Sequence, residues 1–160
     1  FHARESPLTE ALDYFCANMN VANGLGFALL QHLPKHWSVT KTVLLAYLLP
    51  ILSWCSVVGY LTFVKFDYGL FMAFTVSLGI CGSTAWVFWV FRFRATHAFA
   101  WKILLPTLGV YLVLPLELLD FPPMLGLADA HALWHLCTVP LQFIFVAFLR
   151  NLLSAEASLT

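Results

Sequence analysis

Five apolar runs of membrane-crossing length, 7–33, 40–64, 69–91, 98–119 and 125–150, fill this chain of 160 residues almost end to end. Crossing a bilayer takes about 20 predominantly apolar residues, and a helix satisfies its own backbone hydrogen bonds in lipid, where no water can. The connections "PKHWSVTK", "KFDY", "RFRATH" and "DFPP" are short, so neighbouring runs must be antiparallel. Composition agrees: 61% hydrophobic and 10% charged residues, with mean hydropathy +0.85, lie outside the range of soluble domains. These features predict an all-α integral membrane chain, a single transmembrane helical domain over residues 1–160, with no room for a second soluble domain. There is no internal repeat or low-complexity segment.

Phe1 is not an initiator Met, and His2, Arg4 and Glu5 follow it with no signal-peptide pattern, which reads as a piece of a longer protein. "ARESP" is then a short connection ending in Pro7 at a helix start, and Phe1 and His2 close a preceding helix. Net charge is zero and pI is about 7.2, so no nucleic-acid partner is expected; lipid is. Cys16, Cys55, Cys81 and Cys137 lie in apolar runs without C-x-x-C spacing and read as packing residues. Cytosolic loops carry excess Lys and Arg. Lys35, Lys41, Arg92, Arg94, Lys102 and Arg150 fall on one side, and only Arg4 and Lys65 on the other. That bias puts the C-terminus in the cytosol, with "ARESP", "KFDY" and "DFPP" facing the lumen.

Ionisable groups inside a membrane are costly and tend to be functional. His2, Asp13, His131 and His135 all fall in the lumenal leaflet on this topology. Residues i and i+4 share a helix face, so His131 and His135 can present both imidazoles to one metal ion. A third histidine from another helix would complete a three-histidine site with an open position. An H-x-x-x-H pair by itself is a weak signal, since histidines also cap helices and hydrogen-bond. Glu10, three residues before Asp13, reads as a first-turn acid favourable with the helix dipole, or as a support to the site. Glu117 and Asp120 read as interfacial or as shaping the entrance. His32, His36 and His97 belong to the opposite edge. Asn18, Asn20 and Asn23 read as helix-packing amides, and Trp37, Trp86, Trp89 and Trp101 as an interfacial aromatic belt.

The stretches "FHARESPLTEALDYFCA", "KFDYG" and "LELLDFPP…DAHALWHLCTVP" resemble the family of post-GPI-attachment-to-proteins factor 3, also called Per-one-like, over nearly the whole chain. That family sits with the alkaline ceramidases and adiponectin receptors, which share a Ser-x-x-x-His, an Asp and a His-x-x-x-His on three helices. Here His2, Asp13, His131 and His135 match those positions; the motif serine would lie upstream of Phe1. The resemblance implies a seven-helix bundle, of which this chain holds five complete spans plus the end of a preceding one. The earliest helices and the cysteine-rich lumenal region of the family are missing from it.

It also implies GPI-anchor lipid remodelling: phospholipase A2-like, metal-dependent hydrolysis of the sn-2 acyl ester of a GPI phosphatidylinositol, in the ER or Golgi membrane with the site toward the lumen. The implied roles have His2, His131 and His135 hold zinc while Asp13 accepts a proton from water. Asp129 and Glu10 are candidate supports, Asp129 by orienting a ligand. The rival readings are a ceramidase-like amide hydrolase and a non-catalytic receptor or GPI-binding factor with a structural metal. A bis-histidine haem ranks last, because its axial ligands would normally come from facing helices.

Overall fold

The computed structural model describes residues 7–119, 121–123 and 128–157, without the side chains of Pro7, Leu8 and Glu10. All regular elements among the described residues are helical: α1 (Pro7–Leu30), α2 (Val39–Phe63), α3 (Tyr68–Phe93), a 3₁₀ turn (Ala100–Ile103), α4 (Leu104–Leu119) and α5 (Ala130–Ala157). Four of them, α2, α3, α4 with its 3₁₀ turn, and α5, are long and apolar enough to cross a membrane, which describes a multi-pass membrane protein. Helix α1 departs from the five complete spans expected. Its 24 residues are sufficient in length, but Asp13, Asn18, Asn20 and Asn23 dilute its apolar surface and keep it outside that set. Lipid, not water, is the solvent this surface suits: Leu49 is 70% exposed and Leu112 83%.

Two expected boundaries are corrected. The fourth run begins as a 3₁₀ turn because an α-helix through it would need a Pro106 N–H bonded to the Lys102 carbonyl, and proline has none. The last helix starts at Ala130, not near 125, and runs on to Ala157, past the polar residues that suggested an end at 150. Asp129 sets its start: its Oδ1 accepts from the backbone N–H of Ala132 at 2.7 Å.

The chain divides into two compact units, Phe1–Ala85 and Trp86–Thr160, and α3 contributes to both. In the first unit α1 and α2 are antiparallel. The Tyr47 hydroxyl donates to Asn23 Oδ1 at 3.1 Å, and the Trp54 indole N–H donates to the Phe15 carbonyl at 3.2 Å. Gly26 makes the approach possible, since a Cβ there would overlap the Tyr47 ring. The first part of α3 runs parallel to α1: Asn18 Nδ2 donates to Thr75 Oγ1 at 2.6 Å, and Gly82 lies against the Leu25 backbone. Ala22, Leu25 and Leu78 are buried between these helices. The asparagines at 18 and 23 thus act as the interhelical groups anticipated. His32 bonds the Ala85 carbonyl through Nε2 at 3.0 Å, again within this unit.

In the second unit the core is aromatic. Trp86 and Trp89 are 4% and 2% exposed, and both meet the fully buried Phe148 edge-to-face, with ring centroids 5.4 and 5.6 Å apart. This corrects their assignment to an interfacial belt. The two indoles fill the space beside α5, where an edge-to-face pair adds about 0.5–1.5 kcal/mol to its burial. Trp101, 55% exposed, keeps a position an interfacial anchor would take. The four cysteines are free, in keeping with their reading as packing residues and not disulfide partners, and Cys16, Cys55 and Cys81 are exposed.

Candidate metal centre

Helices α4 and α5 are antiparallel neighbours. The α5 start is tied back to the α4 end by the Ala130 N–H donating to the Phe121 carbonyl at 3.2 Å, and further along Gly109 of α4 faces Leu141 of α5. This register brings the last turn of α4 beside the first turn of α5. Glu117 therefore meets His131 across 14 residues of sequence, with its Oε2 2.9 Å from His131 Nδ1. The two side chains are 12% and 23% exposed, which makes this a sheltered pair. One turn on, His135 Nε2 lies 3.0 Å from His131 Nε2, the rings 4.5 Å apart and nearly perpendicular. In the next turn the Thr138 hydroxyl donates back to the Trp134 and His135 carbonyls, at 3.0 and 3.2 Å.

An ionised carboxylate only accepts, so the His131 Nδ1 carries the hydrogen that Glu117 receives. The Nε2 of a neutral His131 then presents a lone pair toward His135. His135 Nε2 either donates to that lone pair or shares a cation with it. Two imidazole nitrogens bound tetrahedrally to one zinc stand about 3.3 Å apart, from zinc–nitrogen bonds of about 2.0–2.1 Å. The observed separation is close to that, and a carboxylate on the far nitrogen is the usual support of a metal-binding histidine. The residues present thus fit a zinc ion with respect to this pair.

Asp13 is half-buried in the second turn of α1, in the first unit. Glu10 lies on the first turn of α1, but its side chain is outside the described residues, as are His2 and Asp120. Asp129 caps α5 through Oδ1, a helix-terminus role that its expected task of orienting a ligand did not include. Glu117 is the carboxylate actually seen against a histidine of the pair, the role sequence reasoning missed. Its signal was available: an acid in the last turn of one span, at the depth where the next span begins with histidines.

The chain matches the Per1-like family over residues 1–152. It is 39% identical over 149 residues to a Danio rerio protein named GPI-specific phospholipase A2-like PGAP3, covering 93% of this chain and 46% of the relative. A Xenopus tropicalis protein of the same name is 36% identical over 151 residues, 94% of this chain and 47% of that protein. Post-GPI attachment to proteins factor 3 of Drosophila melanogaster is 34% identical over 154 residues, 96% of this chain and 46% of that protein. The chain thus spans about half the length of the relatives it matches. No solved structure matches it. With the match running through both units and including the His131–His135 helix, the chain belongs to the Per1-like family.

Proposed function

We propose that this chain carries the hydrolytic site of a GPI-remodelling phospholipase A2-like enzyme, with His131 and His135 as two zinc ligands and His2 as the third. The observation that supports this most is the convergence of the two Nε2 atoms at 3.0 Å with Glu117 on the His131 Nδ1. The relatives' name, GPI-specific phospholipase A2-like, supports a GPI phospholipid as the substrate class.

Zinc, when bound, supplies Lewis-acid polarisation of the ester carbonyl and lowers the pKa of water. Asp13 accepts a proton from the attacking water at a carboxylate oxygen. As the water oxygen bonds to the sn-2 carbonyl carbon and the ester C–O bond breaks, Asp13 returns the proton to the departing lysolipid oxygen. Glu117 keeps the hydrogen of His131 on Nδ1, so that Nε2 stays a ligand. The Lys and Arg distribution supports a lumenal position for this end of the bundle, and the family resemblance implies that the membrane is that of the ER or Golgi.

The test is zinc content and lipid release measured together on the full-length protein. Wild-type protein is expected to hold stoichiometric zinc and to free the sn-2 fatty acid from a GPI lipid. His131→Ala and His135→Ala are expected to lose both while remaining inserted. Full zinc occupancy in either variant overturns the ligand assignment. Release of a fatty acid from ceramide, with none from GPI lipid, would assign amide hydrolysis instead.

A further inference from the structure

The end of the second unit away from Glu117 carries a groove with no role in the hydrolysis. From Leu104 to Glu117, α4 climbs about 20 Å at 1.5 Å per residue, so the groove and the histidine pair lie at opposite ends of that helix. The groove is formed by the last turns of α3, the connection after it and the start of α4, and encloses ≈ 540 Å³. That is within the range of ligand pockets, about 300–1,000 Å³. Val90, Leu104 and Leu108 make apolar walls, and Arg94, His97 and Trp101 bring the polar edges.

Two of those polar edges are already accounted for. The Thr96 hydroxyl donates to the Phe93 carbonyl at 3.0 Å and so accepts from His97 Nδ1 at 2.9 Å. The imidazole is packed against Trp89, Phe93 and Phe99. Trp101 is a half-exposed indole. Arg94 is different: its guanidinium lies over the Phe91 ring, 5.7 Å from the centroid, and no carboxylate among the described residues pairs with it. It is therefore a permanent positive charge at the mouth of an apolar slot. From Leu104 the wall continues one helical turn, about 6 Å, to Leu108. Charge and indole first, then hydrocarbon, repeats the order of headgroup and acyl chain in a phospholipid.

We infer that this groove binds an anionic glycerophospholipid of the surrounding bilayer, its phosphate against Arg94 and an acyl chain along Val90, Leu104 and Leu108. The site is separate from the histidine pair and does not depend on it. Phosphatidylcholine carries the same acyl chains, but its choline offsets the phosphate charge, so Arg94, with no carboxylate partner among the described residues, favours an anionic headgroup. One basic residue near a membrane surface favours anionic lipid by about fivefold.

The experiment uses the full-length protein, purified and equilibrated with equal amounts of phosphatidylserine and phosphatidylcholine, with retained lipid counted by native mass spectrometry. Wild-type protein is expected to retain phosphatidylserine about fivefold over phosphatidylcholine, and Arg94→Gln to bring the ratio close to one. Arg94→Lys, which keeps the charge, should preserve most of the preference. Arg92→Gln is the control, because the exposed Arg92 lies over Phe93 and does not line the groove. The inference is overturned if wild-type protein has no preference, if Arg94→Gln keeps it, or if Arg92→Gln abolishes it equally, since general surface charge would then be the cause.

Discussion

Removing the Glu117 carboxylate is expected to weaken zinc binding without removing any zinc ligand. The perturbation is graded: Glu117→Gln keeps an acceptor for the His131 Nδ1 hydrogen but loses the charge, while Glu117→Ala loses both. Hydrogen bonds with one ionised partner are about twice as strong as neutral ones. The 2.9 Å bond between side chains only 12% and 23% exposed is sheltered enough to keep that difference. Substituting an outer partner of a metal-binding histidine typically reduces affinity about 10- to 100-fold, or about 1.4–2.8 kcal/mol. Glutamine belongs near the lower figure. Alanine belongs near the upper one, because it also leaves the Nδ1 hydrogen without its acceptor and frees the ring to turn. Competition against a fluorescent zinc chelator, on full-length protein, reads the affinity directly. An affinity for Glu117→Ala within twofold of wild type would refute the reasoning, since the 2.9 Å contact would then have no bearing on the metal.

Asp13→Asn is expected to retain zinc and to lose activity by about 10²–10⁴-fold, the usual contribution of a positioned proton acceptor; wild-type lipid release would move that role to another group, with Glu10 next. Phe148→Ala is expected to destabilise the protein by about 3–5 kcal/mol, judged from soluble cores, because Trp86, Trp89 and Phe99 all lose their ring partner; thermal unfolding in detergent checks it, and an unchanged transition would contradict the packing described. For orientation, His36→Cys and Pro122→Cys place thiols at exposed positions. An impermeant thiol reagent should reach the first only from the cytosol and the second only from the lumen. Labelling of the second from the cytosol would put the histidine pair on the wrong side for a lumenal GPI lipid.

What could be read from the sequence, and what could not, follows from what polarity marks in a membrane. Apolar runs gave the helices and their order. Their ends shifted where local chemistry overrode hydropathy: the Asp129 cap at the start of α5, and Pro106 forcing the 3₁₀ turn before α4. Position near a helix end was legible as well, because groups as costly in hydrocarbon as His131, His135 and Glu117 are expected there. Rotation about the helix axis was not. In water a helix announces its inner face by an apolar stripe, but α3 is apolar all round, since lipid and core both accept Trp, Phe and Val. Trp86 and Trp89 therefore read as belt residues although both face the core. Glu117 was placed at the end of its helix but given no partner, for a related reason. Its meeting with His131 goes with the hydrogen bond from the Ala130 N–H to the Phe121 carbonyl, which no spacing rule encodes. The i, i+4 pair, by contrast, needed only helix geometry, and its two nitrogens converge at 3.0 Å. A carboxylate at the end of one membrane helix, with a His-x-x-x-His opening the next, is thus a sequence pattern that topology turns into a supported two-nitrogen site whenever the intervening loop closes.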